Sequence, residues 1–156
     1  MKQDSVVGAF LVNTNKQILL VDHKIMQKWV PYGGHVDPYE LPHETVLREG
    51  REELPGLEIK FLQISKPKNG EKGIPMHFNT RIHEMVPDNH TPYPHEHYCI
   101  NYLCTNLTDS FTYNTDELNG FNWFNKQELK ELDRIPNPLR ELSLSALETG
   151  IEILNS

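Results

Sequence analysis

Residues 29–57 read WVPYGGHVDPYELPHETVLREGREELPGL, and the acidic side chains near the end of this stretch fix how it folds. Glu49, Glu52 and Glu53 stand at i, i+3 and i+4, which on a helix places them within an arc of roughly 100°. Three like charges on one face repel, and a divalent cation is the counter-charge that justifies them. A cluster of hard oxygen donors suits Mg²⁺ or Mn²⁺ rather than zinc, and the helix has no Cys or His at metal-ligand spacing. The alternative reading is a solvated acidic face.

Pattern supports the helix itself. Val46, Leu47, Gly50 and Leu54 form an apolar stripe beside the carboxylates, while Glu44 and Arg51 fall on the solvated side. Pro42 suits a first helical turn, and Pro55 with Gly56 marks the end, so the helix is predicted over Pro42 to Leu54. Arg48 precedes Glu52 by four residues, within reach of an ion pair.

The stretch resembles the Nudix box: Gly, five residues, Glu, seven residues, Arg-Glu, an aliphatic, any residue, Glu-Glu, any residue, Gly, aliphatic. The matches are Gly34, Glu40, Arg48, Glu49, Glu52, Glu53, Gly56 and Leu57. It departs from the pattern at Gly50, which stands where the aliphatic belongs, and at Pro55, an extra residue before Gly56. Gly50 costs a helix about 1 kcal/mol relative to Ala unless it permits a close approach to the sheet.

Composition bounds the rest. A chain of 156 residues is read as one domain, 1–156, and its net charge of −7 argues against a nucleic acid polymer as partner. Cys99 and Cys104 lie in one predicted strand an odd number of residues apart and should face opposite ways, so no disulfide is expected and a reducing cytoplasm is the default. No run is long and apolar enough to span a membrane, and the first ten residues lack a signal-peptide core, so no membrane partner is expected.

In chain order, Val6–Val12 and Gln17–His23 read as a hairpin about the polar turn 13–16, and Lys24–Lys28 as a loop. Leu57–Ser65, Met76–Met85, His95–Thr105 and Gly120–Phe124 read as strands, with a short β-like piece at Phe111–Tyr113. Lys66–Gly73 is a loop, and the three prolines of residues 86–94 make another, a candidate pocket wall. Lys126–Leu132 and Pro138–Leu147 carry helical periodicity. The order gives a mixed sheet covered by helices. The Nudix resemblance implies the same α/β/α sandwich and extends to Trp123, Phe124, Glu128 and Leu129, a strand ending in Trp-Phe followed by a Glu-Leu helix.

His95 and His97 alternate and so share a face, where His77 and His83 are candidates to join them across the sheet; ordinary cleft histidines are the favoured reading. Tyr93, Tyr98, Tyr102, Phe121 and Trp123 read as core before base-stacking platform, with one or two near residues 87–94 the candidates to stack a nucleobase.

What the Nudix resemblance implies is a hydrolase that cleaves a P–O–P bond in a nucleoside diphosphate linked to another group. Glu49, Glu52, Glu53 and the Gly33 carbonyl would be the metal ligands, Glu49 doubling as a candidate base. Arg48 would orient the carboxylates and Glu40 would brace the loop. A further catalytic carboxylate is expected from a loop outside the box; Glu117 is favoured over Asp116 and Glu96. The partner is a small nucleotide. Residues 72–75 hold no Tyr of the kind seen in relatives acting on dinucleoside polyphosphates or ADP-ribose, which leans the substrate to nucleoside triphosphates, with ADP-ribose or a sugar nucleotide as runner-up. A non-catalytic nucleotide sensor is the reading from another class, disfavoured because all three carboxylates are kept. An isomerase of allylic diphosphates is disfavoured because both cysteines lie far along the chain. Oligomeric state is left open, a homodimer included.

Overall fold

The strand β1 (Lys2–Val12) runs through the centre of the molecule, and its sequence shows why both its faces are covered. Val7, Ala9 and Leu11 point into one apolar cluster, Phe10 and Val12 into another, and all five are buried. β2 (Ile18–His23) alternates likewise, Leu19 and Val21 to the first cluster, Ile18 and Leu20 to the second. The structure, a computed structural model, describes residues 2–87 and 91–156.

Eight strands form one mixed sheet. β1 lies parallel to β7 (His95–Asn106), from Lys2 opposite His95 to Leu11 opposite Cys104. On its other edge β1 divides. Val6–Ala9 pair antiparallel with β4 (Tyr32–His35), whereas Leu11 and Val12 pair with β2. β3 (Lys28–Val30) and β8 (Leu118–Phe124) flank β2, and β5 (Ile59–Phe61) and β6 (Asn79–Met85) flank β7.

Helix α1 (Pro42–Glu53) covers the first face through Val46, with Leu54 just beyond its end. On the other face lie α2 (Lys126–Glu131) and α3 (Asn137–Leu154), which contribute Leu129, Ala146 and Leu147. The result is the expected α/β/α sandwich. α2 begins with a capping box: Asn125 Oδ1 accepts from the Glu128 N–H at 2.8 Å and Glu128 Oε1 accepts from the Asn125 N–H at 2.9 Å.

Several boundaries differ from the sequence reading. β3 and β4 replace what reads as loop and unassigned chain, because Pro31 and the Gly33-Gly34 pair mask any strand pattern while pairing with β2 and β1 supplies it. The strand expected over Leu57–Ser65 narrows to Ile59–Phe61, and that over Met76–Met85 starts at Asn79, the stretch between them keeping only an Ile64–Pro75 bridge. Phe111–Tyr113 is not a strand; Phe111 instead stacks on Phe121 at 4.7 Å between ring centroids. α3 continues past Leu147 to Leu154, its Gly150 buried against Val12 of β1. Tyr93 and Tyr98 are exposed rather than core, whereas Tyr102 is buried. Cys99 and Cys104 are both free and Cys104 alone is fully buried, as strand alternation requires. Of the expected pocket wall 86–94, residues 88–90 lie outside the described residues. Among the described residues no helix is long and apolar enough to cross a membrane.

Candidate active site

Helix α1 begins at Pro42, with the Glu44 carboxylate accepting from the Leu41 N–H at 2.9 Å. Its pitch sorts the three acids by depth. Glu53 is buried and Glu49 half-buried, both turned to β4, while Glu52 sits on the exposed edge. The two glycines of β4 make this possible. A Cβ on Gly34 would collide with the Glu49 carboxylate, and the Gly33 N–H donates to Glu53 Oε2 at 3.1 Å.

Arg48 organises the exposed side. Its Nε and Nη2 form a fork on Glu40, at 2.8 Å to Oε2 and 3.0 Å to Oε1. Nη1 reaches Glu49 Oε1 at 3.1 Å and Glu52 at 3.3 Å, and Nη2 also donates to the His35 carbonyl at 3.0 Å. Glu40 in turn accepts from the Thr45 hydroxyl at 2.6 Å and the Asp37 N–H at 3.1 Å. The 35–45 loop is thus clamped to the helix through one guanidinium.

These surroundings push the acids apart. The Arg48 hydrogen bonds hold Glu40 down at about 2. Burial raises Glu49 to about 7, against the pull of Arg48 and with Glu52 and Glu117 adding to the rise. Burial raises Glu53 to about 9, reinforced by Glu49 and by Glu117 and opposed by the Gly33 N–H. Two neighbouring carboxylates that resist ionisation are a site short of positive charge.

Glu117 belongs to the same electrostatic neighbourhood, for its charge reaches both Glu49 and Glu53. The chain brings it there by lacing the loop after β7 onto the end of α1. The Thr112 N–H donates to the Pro55 carbonyl and the Asn114 N–H to the Glu53 carbonyl, each at 2.9 Å, and the Lys24 N–H closes on the Glu117 carbonyl at 3.0 Å. Asp116 lies in the same turn, its N–H bonded to Asn114 Oδ1 at 3.0 Å. Glu96 is elsewhere, beside Gln3.

The cavity between α1 and β5, lined by Val46, Leu47, Gly50, Leu57 and Ile59, holds none of the three α1 acids, so charge and not concavity marks the site. His95 and His97 do share a face, their Nε2 atoms 3.1 Å apart. His83 does stand opposite His97 in the β6–β7 register, but it is exposed, as is His77; the rings that pack on His97 are His95, 4.9 Å away between centroids, and His35, 5.1 Å away. The sequence gives no signal for His35, because β4 itself is not legible there.

Comparison with known proteins agrees with this geometry. The family model described as the NUDIX domain matches residues 2–144. No curated protein sequence matches the chain. Among solved structures, a NUDIX family hydrolase from Clostridium perfringens is 25% identical with a TM-score of 0.74, covering 96% of this chain and 99% of that one. The MutT protein from Methanosarcina mazei Go1 is 15% identical with a TM-score of 0.58 over 95% of this chain and 94% of that one. A UDP-X diphosphatase is 20% identical with a TM-score of 0.58, covering 96% of this chain and 64% of its own length.

Proposed function

Because the chain belongs to the Nudix family and is a pyrophosphohydrolase of that kind, we propose that its substrate is a small nucleotide, a nucleoside triphosphate before ADP-ribose or a sugar nucleotide, and that its cofactor is Mg²⁺ or Mn²⁺. The observation that carries this reading is the Glu49–Glu53 pair, a half-buried and a buried carboxylate side by side, both raised by burial with neighbouring acids adding to the rise. The donor set fits a hard divalent ion: Glu49, Glu52 and Glu53 offer oxygen only, and the Gly33 carbonyl is the further oxygen that Nudix resemblance assigns. When bound, such an ion neutralises phosphate charge and makes a water easier to deprotonate.

The chain's own groups do the rest. Arg48 fixes the Glu49 and Glu52 carboxylates, and the Gly33 N–H fixes Glu53, so little reorganisation is left for the reaction. The proton of the attacking water goes to a carboxylate, Glu117 first and Glu49 as alternative, as the water oxygen joins phosphorus and the bridging P–O bond breaks. Free Cys99 and Cys104 accord with work in a reducing cytoplasm.

A panel of nucleotides incubated with Mg²⁺, scored for released phosphate or pyrophosphate, tests the reading. Triphosphates should be cleaved fastest, EDTA should stop the reaction, and Glu52→Gln and Glu53→Gln should each cost at least about a hundredfold in rate while leaving the fold intact. Turnover that survives EDTA, or a near wild-type rate in either variant, refutes the metal assignment.

A further inference from the structure

We infer that Asp4, His35 and His97 form a second metal centre, distinct from the α1 carboxylates and suited to a zinc-class divalent ion. Each comes from a different strand, β1, β4 and β7, and backbone pairing sets their meeting: Asp4 lies opposite His97, and Val6, two residues on, opposite His35. One ligand atom from each lies within 4.8 Å of the other two. Tetrahedral ligands at zinc distances stand about 3.3 Å apart, so a modest closure of half-buried side chains completes the set. Since Gly34 turns to Glu49 on α1, His35 turns to the opposite face of the sheet, away from the box carboxylates.

The donors differ in kind from those of α1. Two imidazoles and one carboxylate prefer Zn²⁺ and its transition-metal neighbours, whereas Mg²⁺ prefers oxygen alone. The surroundings are those a metal site needs. His95, buried, has Nδ1 3.0 Å from the Tyr93 carbonyl, which can only accept, so Nδ1 bears the proton. In the neutral pair His95 Nε2 then accepts from His97 Nε2–H at 3.1 Å, which puts the His97 lone pair on Nδ1. The Thr91 hydroxyl, also buried, donates to Asp4 Oδ2 at 3.2 Å. An imidazole donating its far N–H and a carboxylate held by a hydroxyl are the supports that orient metal ligands. Three protein ligands leave a tetrahedral ion one position for water or an outside ligand.

The experiment uses Co²⁺, whose visible absorption reports imidazole coordination, added to the chelator-treated full chain in excess Mg²⁺. Wild type should bind one Co²⁺ per chain, displaced by Zn²⁺. His35→Ala, His97→Ala and Asp4→Asn should each weaken binding more than about a hundredfold, Thr91→Val about tenfold, and Glu52→Gln should leave the spectrum unchanged. No Co²⁺ spectrum in Mg²⁺ with the wild type, or a spectrum lost in Glu52→Gln and kept in His97→Ala, overturns the proposal. Circular dichroism checks that each variant folds; if the alanine variants do not, the wild-type titration and Asp4→Asn decide. The readout is metal binding, so it fails or succeeds independently of the hydrolysis proposed above.

Discussion

The hydroxyl of Tyr32 lies 3.1 Å from the point where a Cβ on Gly50 would stand. Gly50 replaces the aliphatic residue of the Nudix pattern, and the ring of Tyr32, fully buried on β4, occupies the space instead. Gly50→Leu should therefore overpack, costing about 1–3 kcal/mol and several degrees of melting temperature. Gly50→Ala should come out near neutral, because crowding against the Tyr32 ring offsets the better helix propensity of alanine. The Tyr32 hydroxyl has no hydrogen-bond partner among the described residues, so Tyr32→Phe should stabilise by about 1 kcal/mol and make Gly50→Ala clearly favourable. Thermal melts of the two single variants and the double variant measure the coupling. A more stable Gly50→Leu with full activity would show that Tyr32 does not need this glycine.

Stability in EDTA should fall as pH rises from about 5 to about 9. Glu49 and Glu53 keep protons in the folded chain up to about 7 and about 9 that the unfolded chain gives up from 4.5, so over this range the unfolded state binds fewer protons and is favoured by rising pH. Glu40, held at about 2, works the other way: its contribution is present above 4.5 and is lost as pH falls towards 2. Mg²⁺ competes with the protons on Glu49 and Glu53, so it should raise the melting temperature more at high pH than at low. Melts across pH with and without Mg²⁺ decide it; equal Mg²⁺ shifts at both ends would separate these carboxylates from the ion.

Arg48→Lys should behave as a damaging change. An ammonium cannot reproduce the fork on Glu40 while also reaching Glu49, Glu52 and the His35 carbonyl. The expected result is a rate loss of about tenfold to a hundredfold and a higher Mg²⁺ requirement, as for other residues that orient metal ligands. Titrating the rate against Mg²⁺ reads both, and an unchanged Mg²⁺ requirement would limit Arg48 to holding the loop.

What can be read in the sequence follows from the range of the interactions. α1 is local: its acids, Arg48 and the flanking prolines lie within a few turns of each other, and its boundaries fall within a residue of the expected ones. Strand alternation is local too, and it separates Cys99 from Cys104 correctly. β4 is not, since YGGH becomes a strand only by pairing with Val6–Ala9 of β1, and with β4 unread the meeting of His35 with His97 stays hidden. Pro55 reads simply as a helix stop, yet its carbonyl also anchors Thr112 and so the loop that carries Glu117. Deleting Pro55 should therefore disturb chemistry as well as stability.

Glu117 provides the sharpest test of the proposed mechanism. Its side chain is exposed, so it contributes little to the core, yet its charge raises both Glu49 and Glu53. The loop that presents it is tied at Pro55, Glu53 and Lys24 rather than buried, and such a loop can hold a carboxylate over a bound phosphate without fixing it to the sheet. Glu117→Gln keeps the shape and removes the charge. If Glu117 takes the proton from water, kcat should fall about a hundredfold or more while the melting temperature barely moves. The acidic limb of the pH–rate profile should also shift to lower pH, because Glu49 and Glu53 ionise more easily once the neighbouring negative charge is gone. Asp116→Asn, in the same turn, is the matched control and should leave both readings near wild type. Unchanged kcat in Glu117→Gln, with the limb still shifted, would hand the proton to Glu49, already on the helix and already raised to about 7.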